Sequence, residues 1–269
     1  AELRRRYNLE KRLADRLRSA SAQERPRRYA EVYGEYARAV PTAGDDPGSL
    51  ALQARLLRPW LRPEMTFVEV GAGSGATSRA VVGEGRRVVA IDAVKPQDAA
   101  GLEWLPHDRT ESLDPQSADM VYSCHVLEHL HPDDLPGHFD QVLRWLKPGA
   151  PYLMVTPNRL LGPHDISAYF AETPEGFHLR EYSHGDLRRA ARIAGFARVA
   201  AVGRDGGPRA LWPIRIAEAV LEGLGAPTRR LIFDGLESVR RRRPLRPLEQ
   251  VTLVAFAAGG SNEIRQGGP

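Results

Sequence analysis

The stretch F67-V-E-V-G-A-G-S-G-A-T77 decides how the rest of the chain is read. An apolar, β-branched run leads straight into Gly71, Gly73 and Gly75, and helix-compatible sequence resumes at about Thr77. Glycine reaches positive φ without steric cost and lets a ligand approach the backbone, while the first turn of a helix offers unpaired N–H groups. Strand, glycine turn and helix start together predict a ligand cradle. Gly71, Gly73 and Ala76 also satisfy the dinucleotide pattern G-x-G-x-x-A, and Asp92 closes the next apolar run at a spacing suited to ribose hydroxyls. Glu69 separates two kinds of ligand. A carboxylate two residues before the turn repels a pyrophosphate but attracts a ligand carrying ammonium and sulfonium charge. The competing use is a carboxylate that only caps the strand, and a buried one still needs a partner.

Outward from this turn, apolar runs alternate with helical patterns. Strands are expected at Thr66–Val70, Arg87–Ile91, Leu102–Leu105, Ala118–Ser123, Pro151–Thr156, Ala197–Val202 and Val251–Ala257. Helices are expected at Ser49–Trp60, Thr77–Gly83, His125–Leu130, Asp134–Leu146 and Ser183–Ala194. Such alternation predicts an α/β, doubly wound, mostly parallel sheet, with ligands beyond the carboxyl ends of its strands. Leu3, Leu9, Leu13 and Leu17 repeat at helical spacing, and Pro26 opens a second helix with Tyr29, Val32, Tyr33 and Tyr36. Two stretches exceed a bare sheet: the loop Asn158–Arg180, and Gly203–Gln250 with helical patterns at Pro213–Leu224 and Arg229–Arg240. The expected organisation is a helical extension over 1–47, a core over 48–202, an insertion over 203–250 and a last strand with tail over 251–269. The insertion serves as an acceptor lid or a homodimer contact.

Composition narrows the function classes. The 269 residues hold one cysteine, Cys124, so no internal disulfide or cysteine-rich zinc site forms, and a reducing cytoplasm suits the chain. No run of 18 apolar residues occurs, which excludes a membrane-spanning helix. The chain opens A-E-L-R-R-R-Y-N with neither Met nor a signal-like apolar core, so processed ends are expected. Net charge is +4, nearly all of it arginine, since lysine occurs only at Lys11, Lys95 and Lys147. The excess sits in the first thirty residues and in Arg229–Arg246, including Arg240–Arg243, and reads as solvated surface rather than a nucleic-acid groove.

Six motifs in order carry a family resemblance over roughly residues 50–202: V68-E-V-G-A-G-S-G75, Asp92, H107-D-R-T110, D119-M-V-Y-S-C-H-V-L-E-H-L130, L146-K-P-G-A-P-Y-L-M-V-T-P-N-R159, and H178-L-R-E-Y-S with A194-G-F196. The chain resembles the class I S-adenosylmethionine-dependent methyltransferases, in their small-molecule, ubiquinone-pathway-like branch. That resemblance implies a Rossmann-like seven-stranded sheet with strand 7 antiparallel between strands five and six, V251–A257 being the candidate. It implies S-adenosylmethionine as cofactor, with contacts at Glu69, Gly71, Ala72, Gly73, Gly75, Asp92, Ala93, Asp108, Arg109, Ser123 and Cys124. Asp92 would take the ribose hydroxyls and Asp108 the adenine amine.

Methyl transfer from a sulfonium is an in-line displacement whose leaving group departs as a neutral thioether. The protein must align the partners and, for a hydroxyl acceptor, remove a proton. His125, His164 and His178 are therefore the candidate bases. On a helix His125, Glu128 and His129 would share a face and could ligate a metal. The related enzymes carry Glu, Glu and His there, and His125 in place of the first Glu argues against a hard, Mg²⁺-like ion, so no metal is expected. His164 and Asp165 read as a base and its orienter, and Asn158, Arg159, Asp165 and Tyr182 as acceptor contacts. The alternative use of His178 is structural, pinning the loop to Tyr182. Cys124 reads as packing. The expected reaction is O-methylation of a small-molecule or sugar hydroxyl, in natural-product or glycan biosynthesis. Alternatives are N-methylation, nucleic-acid methylation, a cofactor-binding regulatory module and a nicotinamide oxidoreductase. No aromatic-rich RNA module or base-amine methylase motif supports the nucleic-acid version.

Overall fold

Strand β1 (Thr66–Val70) lies inside the sheet, parallel to β2 (Arg87–Asp92) on one side and to β4 (Met120–Cys124) on the other. Its burial explains most of its sequence, because a parallel strand covered on both faces is largely apolar, and Glu69 is the exception. In the computed structural model, which describes residues 1–40, 46–95, 101–224, 228 and 250–259, the strand order is β3-β2-β1-β4-β5-β8-β6-β7. The remaining strands are β3 (Glu103–Pro106), β5 (Pro151–Pro157), β6 (Arg198–Val202), β7 (Pro208–Arg209) and β8 (Gln250–Phe256).

Alternate residues of each strand divide into two cores. Val68, Val89, Val121 and Tyr152 face α5 (Leu135–Trp145) and α6 (His184–Ala194), where Phe139, Val142, Leu187 and Ala191 receive them. Phe67, Val88, Tyr122 and Leu153 face the other way, onto Leu56 and Leu57 of α3 (Pro47–Leu57) and Val81 of α4 (Ala76–Val81). The chain runs from β1 outward through β2 to β3, then returns to β4 and proceeds to β5. Strand order thus reverses between β1 and β4, and the crevice beyond their carboxyl ends is where ligands bind in such sheets.

The last strand takes the expected slot: β8 is antiparallel to β5 (Leu153↔Val254) and to β6 (Ala200↔Val254). One strand was not foreseen. The two-residue β7 pairs with β6 at the edge and begins with Pro208, a residue without an N–H that suits an unpaired edge. A second difference lies after β4. The expected helix over His125–Leu130 is instead a sharp turn, with His125 at φ 56°, followed by a single 3₁₀ turn over Leu127–His129. The chain must bend at once to pass over the glycine turn.

The N-terminal helices α1 (Glu2–Arg18) and α2 (Arg25–Ala39) pack through Leu13, Leu17, Tyr29 and Val32 onto Phe177 of the long loop. Leu3, expected in that apolar stripe, is instead exposed. Polar bonds complete the docking. Arg25 donates to both oxygens of Asp134 at 2.6–2.9 Å, Arg18 donates to the carbonyls of Glu175 and Gly176, and Tyr7 and Lys11 both bond Glu175. Helix α7 (Trp212–Glu222), the described helix of the insertion, sends the buried Glu218 carboxylate to the amides of His184 and Gly185 at the start of α6. The Arg229–Arg240 pattern and the Arg240–Arg243 tract lie outside the described residues. Among the described residues no helix is long and apolar enough to cross a membrane.

Candidate active site

The glycine turn and the loop after β4 meet directly. Gly71, at φ 72°, donates its N–H to the Ile91 carbonyl at 2.7 Å, and a Cβ built on it would collide with Cγ2 of Val126. Only glycine allows both the backbone angle and this contact. Gly73 also has positive φ but faces open space. Asp92, ending β2, accepts the Gly73 N–H at 2.7 Å and the Val94 N–H at 3.0 Å, so its carboxylate stands at the lip of the turn. Ala72 is buried, and Ala93 follows Asp92 directly.

Glu69 is buried to 3% exposure and accepts the Ser78 hydroxyl at 2.5 Å. Burial pushes its carboxyl up to about 8; the Ser78 donors oppose this and Asp92 adds to it. No positive side chain among the described residues pairs with it.

Across Val126 stands a cluster of imidazoles and carboxylates. His125 is exposed and places Nδ1 3.0 Å from Oε1 of Glu128, while its Nε2 lies 3.5 Å from the Gln250 amide nitrogen. Glu128 has no exposed surface and also accepts the Thr156 hydroxyl at 2.7 Å. Burial opposes its ionisation, but the His125 hydrogen bond and the neighbouring His129 and His178 prevail and hold it down at about 2. His129 Nδ1 meets the Phe177 carbonyl at 2.9 Å, and burial lowers this imidazole despite Glu128. Glu181, buried to 4%, takes His178 Nδ1 at 2.7 Å and His164 Nδ1 at 3.1 Å. Burial works against its charge as well, yet the two histidines bring it to about 2. His178 is raised: burial lowers it, and the Glu181 hydrogen bond outweighs that.

The structure thus brings His125, His164 and His178 into one cluster of two adjoining hydrogen-bonded sets, although it redraws their partners. His164 is oriented by Glu181 rather than by its neighbour Asp165. The Asp165 carboxylate instead caps the turn over Ile166–Tyr169 through Ser167 and accepts the Gly176 N–H at 3.0 Å. The other expected acceptor contacts face elsewhere. Asn158 is fully buried and bonds the Glu218 carboxylate. Arg159 pairs with Asp186 at 2.7 Å and Glu222 at 2.5 Å on α6 and α7. Tyr182 is 3% exposed within the core, with Arg180 over its ring. Ser123, expected at the cofactor, turns its hydroxyl inward to Tyr152 at 2.7 Å, which leaves only its backbone for a ligand. Cys124 is a packing residue whose thiol is pushed up to about 12 by burial. Asp108 and Arg109 are exposed in the 3₁₀ turn over His107–Ser112 beyond β3.

Three participants were missed. Glu181 and Thr156 lie inside quoted motifs but were given no role in them. Tyr33 was visible only as part of the α2 stripe, yet its hydroxyl is buried without a hydrogen-bond partner. Its ring stacks on Phe177 at 5.3 Å and meets His129 edge-on at 6.1 Å. Burial first, then neighbours including Glu128 and Asp92, raise its hydroxyl well above the usual range, so Tyr33 feels both halves of the site.

Comparison with known proteins agrees with this geometry. A family model described as a methyltransferase domain matches residues 43–201, more than half of the chain. No curated protein matches the sequence. Among solved structures, the Burkholderia thailandensis 1,6-didemethyltoxoflavin-N1-methyltransferase with bound 1,6-didemethyltoxoflavin and S-adenosylhomocysteine aligns at TM-score 0.55 and 17% identity, over 89% of this chain and 92% of that one. A SAM-dependent methyltransferase from Archaeoglobus fulgidus aligns at 0.52 and 16%, over 83% and 99%. Haemonchus contortus phosphoethanolamine N-methyltransferase 2, crystallised with S-adenosyl-L-methionine, aligns at 0.50 and 18%, over 88% of this chain and 59% of that one. At these identities the structures testify to the fold. With the family match, the sheet order and the glycine turn in agreement, the chain belongs to the methyltransferase-domain family and is a class I S-adenosylmethionine-dependent methyltransferase.

Proposed function

We propose that the enzyme moves the methyl group to an oxygen of a small polar acceptor, a sugar or another soluble hydroxyl compound. The acceptor is held between the N-terminal helices and the histidine–carboxylate cluster. The observation that carries this reading is the place of His125. It adjoins Val126, which rests on Gly71, and its Nδ1 is held by Glu128. Glu128 in that position favours the tautomer with the proton on Nδ1, which leaves Nε2 as the base. Bound S-adenosylmethionine would supply the methyl group and depart as a neutral thioether, and His125 would take the proton released by the acceptor hydroxyl. Alignment contributes up to roughly 7–11 kcal/mol in ideal cases, and a positioned base about 10²–10⁴-fold. Tyr33, with its buried and unpartnered hydroxyl, is a donor or acceptor for the bound pair. His164 and His178, both tied to Glu181, set the far wall.

N-methylation is the second reading. It is favoured by Glu128 and Glu181, ionised carboxylates able to draw in an ammonium, and by the N-methyltransferases among the similar folds. Transfer of labelled methyl to a panel of sugars, phenols and amines separates the two. For the oxygen reading, His125→Ala should lower turnover about 10²–10⁴-fold and leave cofactor affinity within about threefold. Full activity in that variant, or amines as the only acceptors, would remove it. A reducing, cytoplasmic setting fits a chain whose single thiol is buried.

A further inference from the structure

Glu128, His129 and His178 each offer one ligand atom, and the three atoms lie within 4.8 Å of one another. Glu128 and His178 are buried and His129 is half-buried. This is not the trio expected from sequence. His125 stands outside it, its Nδ1 spent on Glu128, and His178 arrives from a loop on the far side of β5.

The surroundings of the two imidazoles are informative. His129 Nδ1 is engaged by the Phe177 carbonyl, an acceptor, and therefore carries the proton. His178 Nδ1 is engaged by the Glu181 carboxylate, which is itself anchored by the His164 backbone N–H at 2.7 Å and by His164 Nδ1. A carbonyl or carboxylate on one ring nitrogen is the usual outer support of a metal-bound histidine, because it sets the tautomer and the ring plane and strengthens the other nitrogen as a ligand. Among the described residues no protein group hydrogen-bonds Nε2 of either ring. The two imidazoles and the carboxylate thus each bring one ligand atom into a small, largely buried space, where one cation can meet all three.

We propose that Glu128, His129 and His178 bind a divalent first-row transition metal of the zinc class. Two imidazoles and one carboxylate with open positions form the donor set of catalytic zinc and of facial iron sites, whereas Mg²⁺ and Ca²⁺ prefer oxygen ligands. Bonds of about 2.0–2.2 Å to the ion put ligand atoms roughly 3–4 Å apart, so side-chain rotation closes the set. An open position on the ion takes the acceptor oxygen and makes its proton easier to lose, beside His125. That role rests on the oxygen-transfer reading; the binding of the ion does not.

The test uses the full chain, stripped with a chelator, loaded with Zn²⁺ or Co²⁺ and desalted. One equivalent of Zn²⁺ by elemental analysis, and a visible Co²⁺ band typical of nitrogen and oxygen ligands, are expected. His129→Asn and His178→Asn should each weaken Zn²⁺ binding more than 100-fold. Glu181→Gln, which removes no ligand, should weaken it about 10–100-fold. Circular dichroism and S-adenosylhomocysteine binding report whether each variant is folded. The proposal is overturned if the folded, cofactor-binding protein retains neither ion, with a proton between His178 and Glu128 in the ion's place. It is equally overturned if the His129→Asn/His178→Asn double variant keeps the ion. An ion bound at one equivalent and lost in the variants, with no hydroxyl acceptor ever methylated, would uphold the site and remove only the oxygen reading.

Discussion

Glu69 and Glu128 sit at the carboxyl ends of adjacent strands, β1 and β4, and are buried almost equally, at 3% and 0% exposure. They are pushed in opposite directions, Glu69 up to about 8 and Glu128 down to about 2. Burial disfavours the charged form of both, so burial cannot be the cause of the difference. Partners are. Glu128 has its partners built in: it is hydrogen-bonded by His125 and by the Thr156 hydroxyl, with His129 and His178 beside it. Glu69 has only the neutral Ser78 donors and a like charge in Asp92. One carboxylate is held ionised by neighbours within the protein. The other has no cationic partner among the described residues, and a bound cation is expected to lower it.

Removing each carboxylate should break the symmetry most visibly. Glu128→Ala leaves His125 and Thr156 without their buried acceptor and should cost about 3–5 kcal/mol in denaturant unfolding. Glu69→Gln replaces a neutral carboxyl by a neutral amide that still accepts from Ser78, and should cost under about 1 kcal/mol near pH 7. Equal losses would end the comparison. Next in size, if Asp92 takes both ribose hydroxyls as the resemblance implies, Asp92→Ala should weaken S-adenosylmethionine binding more than tenfold by calorimetry, about 1.4 kcal/mol or more. An unchanged affinity would take Asp92 out of the cofactor site.

Smaller effects follow from protonation. Cofactor charge should draw Glu69 down from about 8, so binding between pH 6 and 7 should release up to about one proton. Calorimetry in buffers of different ionisation enthalpy reads this, and the release should vanish in Glu69→Gln. Stability of the cofactor-free protein carries the same signature. The folded state keeps a proton on Glu69 that the unfolded chain, near 4.5, has already lost. Stability therefore falls as pH rises from about 4.5 to about 8 and levels off beyond, while Glu69→Gln lacks that slope. His138 acts at the acid end. It is half-buried, its imidazole lowered to about 4 by desolvation, and bonded through Nε2 to the Tyr152 hydroxyl. Its contribution is present above its ordinary 6.5 and is lost as pH falls towards 4, a loss that His138→Gln should blunt.

Much of the sheet was legible because β-branched runs and glycine breaks act over a few residues. Thr66–Val70 was found to the residue and the other expected strands within one or two, while β7 was not foreseen. The antiparallel place of β8 came from the family resemblance, not from its pattern. The turn at His125 was misread as helix because H-V-L-E-H-L has helical spacing, while the bend is imposed by Gly71 packing on Val126, far away in sequence. Asn158, Arg159, Asp165 and Tyr182 were given to the acceptor because polar and aromatic loop residues suggest a pocket. Each is instead consumed by a cap, a core or a neighbouring helix, and local sequence does not say which way a loop side chain turns.

Taken alone, the amino-acid order determined the glycine cradle, the acidic residues flanking it, the alternation that makes a doubly wound sheet and the histidines available for chemistry. All of these depend on backbone preferences and charges within a few residues of one another. Which histidine meets which acceptor was decided by the fold. His129 is fixed by a carbonyl 48 positions along the chain, and Glu181 serves His164 and His178 together. Such partnerships arise where separate loops are brought to one end of a sheet, and distance in space, not in sequence, sets the Coulomb and hydrogen-bond energies that hold them.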